Sequence, residues 1–365
     1  MRELPVKGYI LTKWIQSMNT KQAVLCGYYG FGNGGDEALL ATLLQMLPAQ
    51  VTPVVLSNNP QKTAKTYGIR SISRWNSLEV LTALRQSQAF IFGGGSLLQD
   101  ATSLKSVLYY CGLMGLAQGM GLSTMAWAQG LGPLKTSLGQ QLTRRALAQC
   151  EGITVRDGGS AKILEQWKLP YSVTADPVWA LESLAVTELA DLPMPRVAVV
   201  VRTHPQFTEA RIRTFIQALQ DFQKATDLFV LLVPFHLPQD VALSERMAEA
   251  LEDKAKLLLI DEPRRLKGVF RAVDYTLAMR FHGVLMAASE GSVVWGLSYD
   301  PKVKQLLQDI QAPGCSLDEL PDRQALCRIW LDQYANGSAL SETQRASWAD
   351  RAKINAAMLR EILTS

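Results

Sequence analysis

All three histidines of the 365-residue chain stand at the end of an apolar run of strand type: His204 after VAVVVR, His236 after VLLVPF and His282 after TLAMRF. Arg156, Arg202 and Arg280 occupy equivalent positions. In open parallel sheets, ligands bind just outside the carboxyl ends of the strands. One histidine at such a place is usually a hydrogen-bonded bystander. Three out of three, with arginines beside them, point to a site that binds a small anion and handles a proton near neutral pH. The histidines are scattered over three segments without the spacing of metal ligands, so no metal is expected.

Two glycine clusters follow predicted strands. Gly30-Phe31-Gly32-Asn33-Gly34-Gly35 fits GxGxxG, which alone would suggest a dinucleotide site. That reading fails twice. The second strand ends in Ser57-Asn58-Asn59 with no acid for a ribose, and Asp36 and Glu37 would put negative charge where a pyrophosphate should lie. Gly32 and Asn33 remain candidates for an acceptor or anion loop. Asp36 is either a helix N-cap or a group acting on acceptor hydroxyls. In the second cluster, Phe92-Gly93-Gly94-Gly95-Ser96, the backbone N–H groups around Gly94 and Gly95 can converge on an anion or a sugar oxygen; a plain tight turn is the alternative. Gln129-Gly130-Leu131-Gly132-Pro133 makes a third turn at the same sheet edge. The basic run Arg264, Arg265, Lys267 and Arg271 reads as a solvated helix face, with contact to phosphates or a lipid surface as the lesser alternative.

The elements that must position these residues come in two sets. Strands are predicted at 22–27, 51–57, 69–72, 88–92, 123–128, 152–155 and 172–175, then at 196–201, 228–233, 257–261, 274–279 and 292–297, with helices between most of them. The pattern breaks around Ser183–Pro195, which reads as a linker. The expected architecture is α/β, two facing Rossmann-like doubly wound domains with a ligand cleft between them. The first spans residues 1–185 and the second 195–320, and helices from 321 to 365 pack back on the first.

A chain of 365 residues with 48% hydrophobic content can bury two such cores. A net charge of +4 argues against a duplex nucleic-acid binder and suits small anionic ligands. Five unpatterned cysteines and an N-terminus without an apolar core imply reduced thiols and a cytoplasmic protein. No charge falls between Lys105 and Lys135, but glycines, Pro133 and two glutamines interrupt the stretch, which reads as a buried helix followed by a buried strand rather than a membrane span.

GYYGFGNGGDEALL, FGGGSLLQD, AQGLGPL, TVRDGGS, ADP, MRFHG and GLSYDPKV occur in this order from about Ala23 to Val303. The set resembles the polysaccharide pyruvyl transferase family, most closely its CsaB-type members. Gly34 departs from it, since alanine is common there in relatives. The resemblance implies a GT-B-like architecture and transfer of pyruvate from phosphoenolpyruvate (PEP) to a sugar as a ketal, without a cofactor. It places PEP-binding roles on Arg156, Arg280 and Lys302, and it puts a RxH motif on Arg280 and His282. It also implies a lipid-linked saccharide acceptor for a cell-wall polymer, and hence work at the inner face of the membrane. PEP carries a phosphate and a carboxylate close together, which arginines bind in bidentate fashion. The reaction needs a proton delivered to the PEP methylene, for which His282 is the best general acid, with Asp36 next. A nucleotide-sugar glycosyltransferase on the same fold is the chief alternative; it would want an acid in the second domain, where only Glu290 offers itself. A non-catalytic carbohydrate-binding protein is a third reading, and it would not need the basic set.

Overall fold

The computed structural model describes residues 21–101 and 103–364. Two compact units divide the chain. The first takes residues up to Phe31, Leu39–Pro177 and the stretch from Arg351; the second takes Gly32–Ala38 and Val178–Asp350.

The first unit is built on a seven-stranded sheet: β1 (Lys21–Cys26), β2 (Val51–Ser57), β3 (Arg70–Ser73), β4 (Ala89–Phe92), β5 (Ser123–Gln129), β6 (Gly152–Val155) and β7 (Ser172–Val173). All neighbours pair in parallel, in the order β3-β2-β1-β4-β5-β6-β7. Strands such as AFIF of β4 are buried on both faces, which is why they read as continuous apolar runs rather than alternating ones. The helices between them are α1 (Gly34–Met46), α2 (Pro60–Tyr67), α3 (Ser77–Arg85), α4 (Leu104–Gly119), α5 (Ser137–Leu147) and α6 (Gly158–Trp167). Several start at a polar cap: Asn59, Asn76, Ser103, Thr136 and Asp157 each accept a first-turn N–H. The charge-free stretch forms α4 and β5, and no helix among the described residues is long and apolar enough to cross a membrane.

The second unit repeats the plan with six parallel strands: β8 (Arg196–Val200), β9 (Phe229–Leu232), β10 (Ala255–Leu257), β11 (Tyr275–Ala278), β12 (Val293–Ser298) and β13 (Gly314–Ser316). Their order is β10-β9-β8-β11-β12-β13. Between and after them run α7 (Glu209–Thr226), α8 (Leu237–Leu251), α9 (Pro263–Val269), α10 (Phe281–Glu290), α11 (Pro301–Asp309), α12 (Arg323–Asn336) and α13 (Glu342–Thr364). Both units are doubly wound. Each sheet reverses its strand order once, between β1 and β4 and between β8 and β11, and such switch points are where these folds take ligands.

The structure departs from the sequence expectations in four places. The strand expected at 257–261 lies earlier, because the ladder with β9 uses Ala255, Lys256 and Leu257, and Leu259 beyond it is 60% exposed. β13, an edge strand of Gly, Cys and Ser, has no apolar run to announce it. α12 belongs to the second unit: it lies along α7 and drives Trp330 against Phe215, Phe222 and Trp295 of the second core. Only the stretch from Arg351 joins the first unit, where the Asn355 amide donates to Thr174 Oγ1 and the Ala175 carbonyl. Residues 32–38, expected in the first domain, are grouped with the second.

Candidate active site

The carboxyl ends of β9 and β11 carry the site residues of the second unit. Arg280, two residues after β11, caps the start of α10, so His282 stands in the first turn of a ten-residue helix, at its positive dipole end. α10 can lie close to β8 because Gly283 has no side chain; a Cβ there would come within 2.8 Å of Val200. Arg280 is 7% exposed and fixed by Asp240, its Nε donating to Oδ2 at 2.7 Å and its Nη2 to Oδ1 at 2.6 Å. Asp240, fully buried in the first turn of α8, also accepts the backbone N–H groups of Phe235 and His236 at 3.2 and 2.8 Å. This carboxylate thus ties the end of β9 to the end of β11. The Nε/Nη2 edge of Arg280 is engaged by this carboxylate.

Residues 32–38 lie on this platform. Asn33 bridges His236 in antiparallel fashion, and the Gly34 N–H donates to the Phe235 carbonyl at 2.6 Å. Gly35 sits so close to His282 that a Cβ would fall 2.1 Å from the imidazole Nδ1. Any residue with a side chain would push the ring away. Asn33, not Asp36, receives the helix-capping bond: its Oδ1 accepts from Gly35 N at 3.2 Å. Asp36 stands in the first turn of α1, in the residue next to the Gly35–His282 contact. Asp36 and His282, the two candidates for proton transfer, thus belong to the same unit.

At the neighbouring strand ends, Arg202 lies over the Tyr299 ring at 5.1 Å and donates to its hydroxyl at 3.1 Å, and His204 packs 4.8 Å from the same ring. Burial and the Arg202 charge hold the His204 pKa below its ordinary value. Lys302 follows β12 in the first turn of α11, whose cap Asp300 accepts its backbone N–H at 2.8 Å.

In the first unit, Arg156 follows β6 and its side chain is 5% exposed, ion-paired with Asp176 and donating to Ser96 Oγ at 2.9 Å. Gly130 leaves room for it, since a Cβ there would lie 3.2 Å from its Nε. Gly95 takes φ +124°, a backbone that favours glycine, and Gly94 abuts the Ala128 carbonyl. Gln129, fully buried, supports this turn by donating to the carbonyls of Phe92, Gly93 and Trp127. Asp100 binds the next loop through the Thr136 hydroxyl and the N–H groups of Lys135 and Thr136, which keep its pKa low.

The basic run is not a uniformly solvated face. Lys267 is 2% exposed and donates to the carbonyls of Val178 and Leu181, while Arg264, Arg265 and Arg271 pair with Glu182, Glu188 and Glu290. Glu290 is therefore a structural partner, 3.7 Å from Lys267. Burial pushes the thiols of Cys26, Cys150 and Cys315 up to about 12, so none of these is a ready nucleophile. Sequence reading missed Asp240, although it stands four residues after His236 at a predicted helix start; Asp176, Ser96 and Gln129 lie within the ADP motif and the glycine turns that the sequence singles out, but no role was read for them.

The model of the polysaccharide pyruvyl transferase family matches residues 33–301. The chain belongs to this family. The match begins at Asn33 and ends just after the Asp300 cap, so it spans the assembly around His282 and the glycine turns. No curated protein matches the sequence significantly. Solved structures share the fold at low identity. A Neisseria meningitidis UDP-GlcNAc 2-epimerase bound to UDP-GlcNAc has a TM-score of 0.63 at 11% identity, covering 93% of this chain and 100% of its own. S. aureus MnaA with UDP gives 0.65 at 11%, with coverage of 94% and 97%. Anabaena HepE with UDP and glucose gives 0.54 at 12%, with coverage of 94% and 96%. These likenesses identify a GT-B-type fold of two doubly wound units.

Proposed function

We propose that this enzyme transfers the pyruvyl group of PEP to two hydroxyls of a saccharide, forming a cyclic ketal and releasing phosphate. The observation that carries the reading is the seat of His282: an imidazole in the first turn of α10, held against the Gly35 backbone, two residues from an arginine fixed by a buried carboxylate. Arg280 and the Lys302 ammonium bind the phosphate and carboxylate of PEP. Arg156 takes its PEP role from the VRD motif alone, since its guanidinium is engaged by Asp176 and Ser96.

His282 protonates the PEP methylene carbon, which makes C2 electrophilic. A saccharide hydroxyl adds at C2, losing its proton to Asp36; the C2–O bond then breaks and phosphate leaves with that proton, and the second hydroxyl closes the ketal as its proton restores His282. The cationic side chains neutralise the departing phosphate, so the steps call for no cofactor. The acceptor is a surface or cell-wall saccharide carried on a lipid, modified at the cytoplasmic face of the membrane.

The test is phosphate release from PEP with and without acceptor. His282→Gln should keep PEP binding and lose on the order of 10²–10⁴ in turnover, whereas Lys302→Ala should weaken PEP binding by about 1–3 kcal/mol. Turnover of His282→Gln within tenfold of wild type at saturating PEP assigns the proton transfer elsewhere.

A further inference from the structure

The loops after β1 and β3 and the helix α4 bring together a group of rings that the donor chemistry does not use. Trp75 is 62% exposed, yet it is held firmly: its Nε1 donates to Asn58 Oδ1 at 3.0 Å, its ring lies 5.6 Å from Tyr109, and the Arg74 guanidinium sits 5.2 Å from its centroid. Arg74 is 6% exposed and has no carboxylate partner among the described residues. Its Nη1 donates to the Gly27 carbonyl at 2.9 Å and its Nη2 to the Tyr110 hydroxyl at 3.2 Å, and it also faces the rings of Phe31 and Tyr109. Its Nε is buried without an acceptor. A cation with no counter-charge, packed among aromatic rings, fixes their orientation by cation–π attraction. Core packing does not require this, because the indole that it orients faces solvent.

Asn58, which holds the indole, and the residues Asn59 and Asn76 beside Asn58 and Trp75 in the chain are exposed carboxamides. The Oδ1 atoms of Asn58, Asn59 and Asn76 accept from Trp75 Nε1, Lys62 N and Glu79 N, which leaves three Nδ2 groups as donors to a ligand. A rigid exposed ring fringed by amide donors matches a pyranose. Its C–H face packs on the apolar, electron-rich ring, and its hydroxyl oxygens accept from the amides. We infer that Trp75, backed by Arg74 and flanked by Asn58, Asn59 and Asn76, is a stacking subsite for a sugar ring of the acceptor. The inference rests on the reading of the acceptor as a saccharide.

The test uses the full chain on a microarray of pyranose oligosaccharides, with PEP binding followed separately by calorimetry. Wild type should be retained on a subset of the oligosaccharides. Trp75→Ala should lose that retention at least tenfold and Trp75→Phe should keep most of it, while both bind PEP as wild type does. Failure of wild type to retain any oligosaccharide, retention of Trp75→Ala within twofold of wild type, or displacement of the sugar by UDP each overturns the subsite. Sugar binding that depends on Trp75 in a protein that does not bind PEP leaves the subsite standing and removes the donor reading instead.

Discussion

Replacing Asp240 by Asn removes one charge and keeps the shape of the side chain. Asp240 is fully buried and makes four contacts: two from Arg280 at 2.6 and 2.7 Å, and one each from the N–H groups of Phe235 and His236. Asn can still accept a backbone N–H through its oxygen, but its NH2 group then meets the Arg280 donors. A guanidinium that is 7% exposed is left without its counter-charge. Breaking a buried pair from one side costs about 3–5 kcal/mol. For a unit of this size each kcal/mol lowers the melting temperature by about 2–4 °C, so a fall of roughly 6–20 °C is expected by calorimetry. Asp240→Asn combined with Arg280→Met removes both charges, and its loss should be well below the sum of the two single losses. A cost under about 1 kcal/mol for Asp240→Asn, or strict additivity in the cycle, would refute the account of Asp240 as the tie between the ends of β9 and β11.

Two further perturbations probe the same strand ends. Gly35→Ala places a methyl group 2.1 Å from His282 Nδ1, so the ring must move; turnover should fall at least tenfold, and stability by about 1–3 kcal/mol of overpacking, and an unchanged rate would show that the seat of the ring is unimportant. The His204 pKa is held low by burial first and then by Arg202, so the folded state favours its neutral form and the resulting stability is present above the ordinary pKa and lost as pH falls through the lowered one. Arg202→Gln should move the His204 midpoint upward in an NMR titration of the ring carbons; a midpoint that stays put assigns the shift to burial alone.

Much of this fold was legible because parallel strands are buried on both faces and appear as apolar runs; Val51–Ser57 and Gly152–Val155 fall where expected. The misplaced β10 shows the limit: LLLI is apolar, but pairing follows the ladder with β9, and hydrophobicity does not encode register. Strand-end logic singles out Arg280 and His282 as candidates. It does not point to Asp240, which reaches Arg280 across a separation of 40 positions, nor to the part that Gln129 plays in the glycine turn, where three carbonyls surround its amide. The same blindness applies to Gly35, whose importance lies in the ring that fills the place of its missing side chain.

Neither unit is a single stretch of chain, and this bears on how the protein can be cut. A fragment ending in the 183–195 linker would keep residues 32–38 but lose Phe235 and His282, on which they rest. It would also lose Asn355, leaving Thr174 and the Ala175 carbonyl without their donor. The complementary fragment would keep His282 and discard the Gly35 backbone that seats it. The apparent linker is thus a poor place for truncation or for a split reporter.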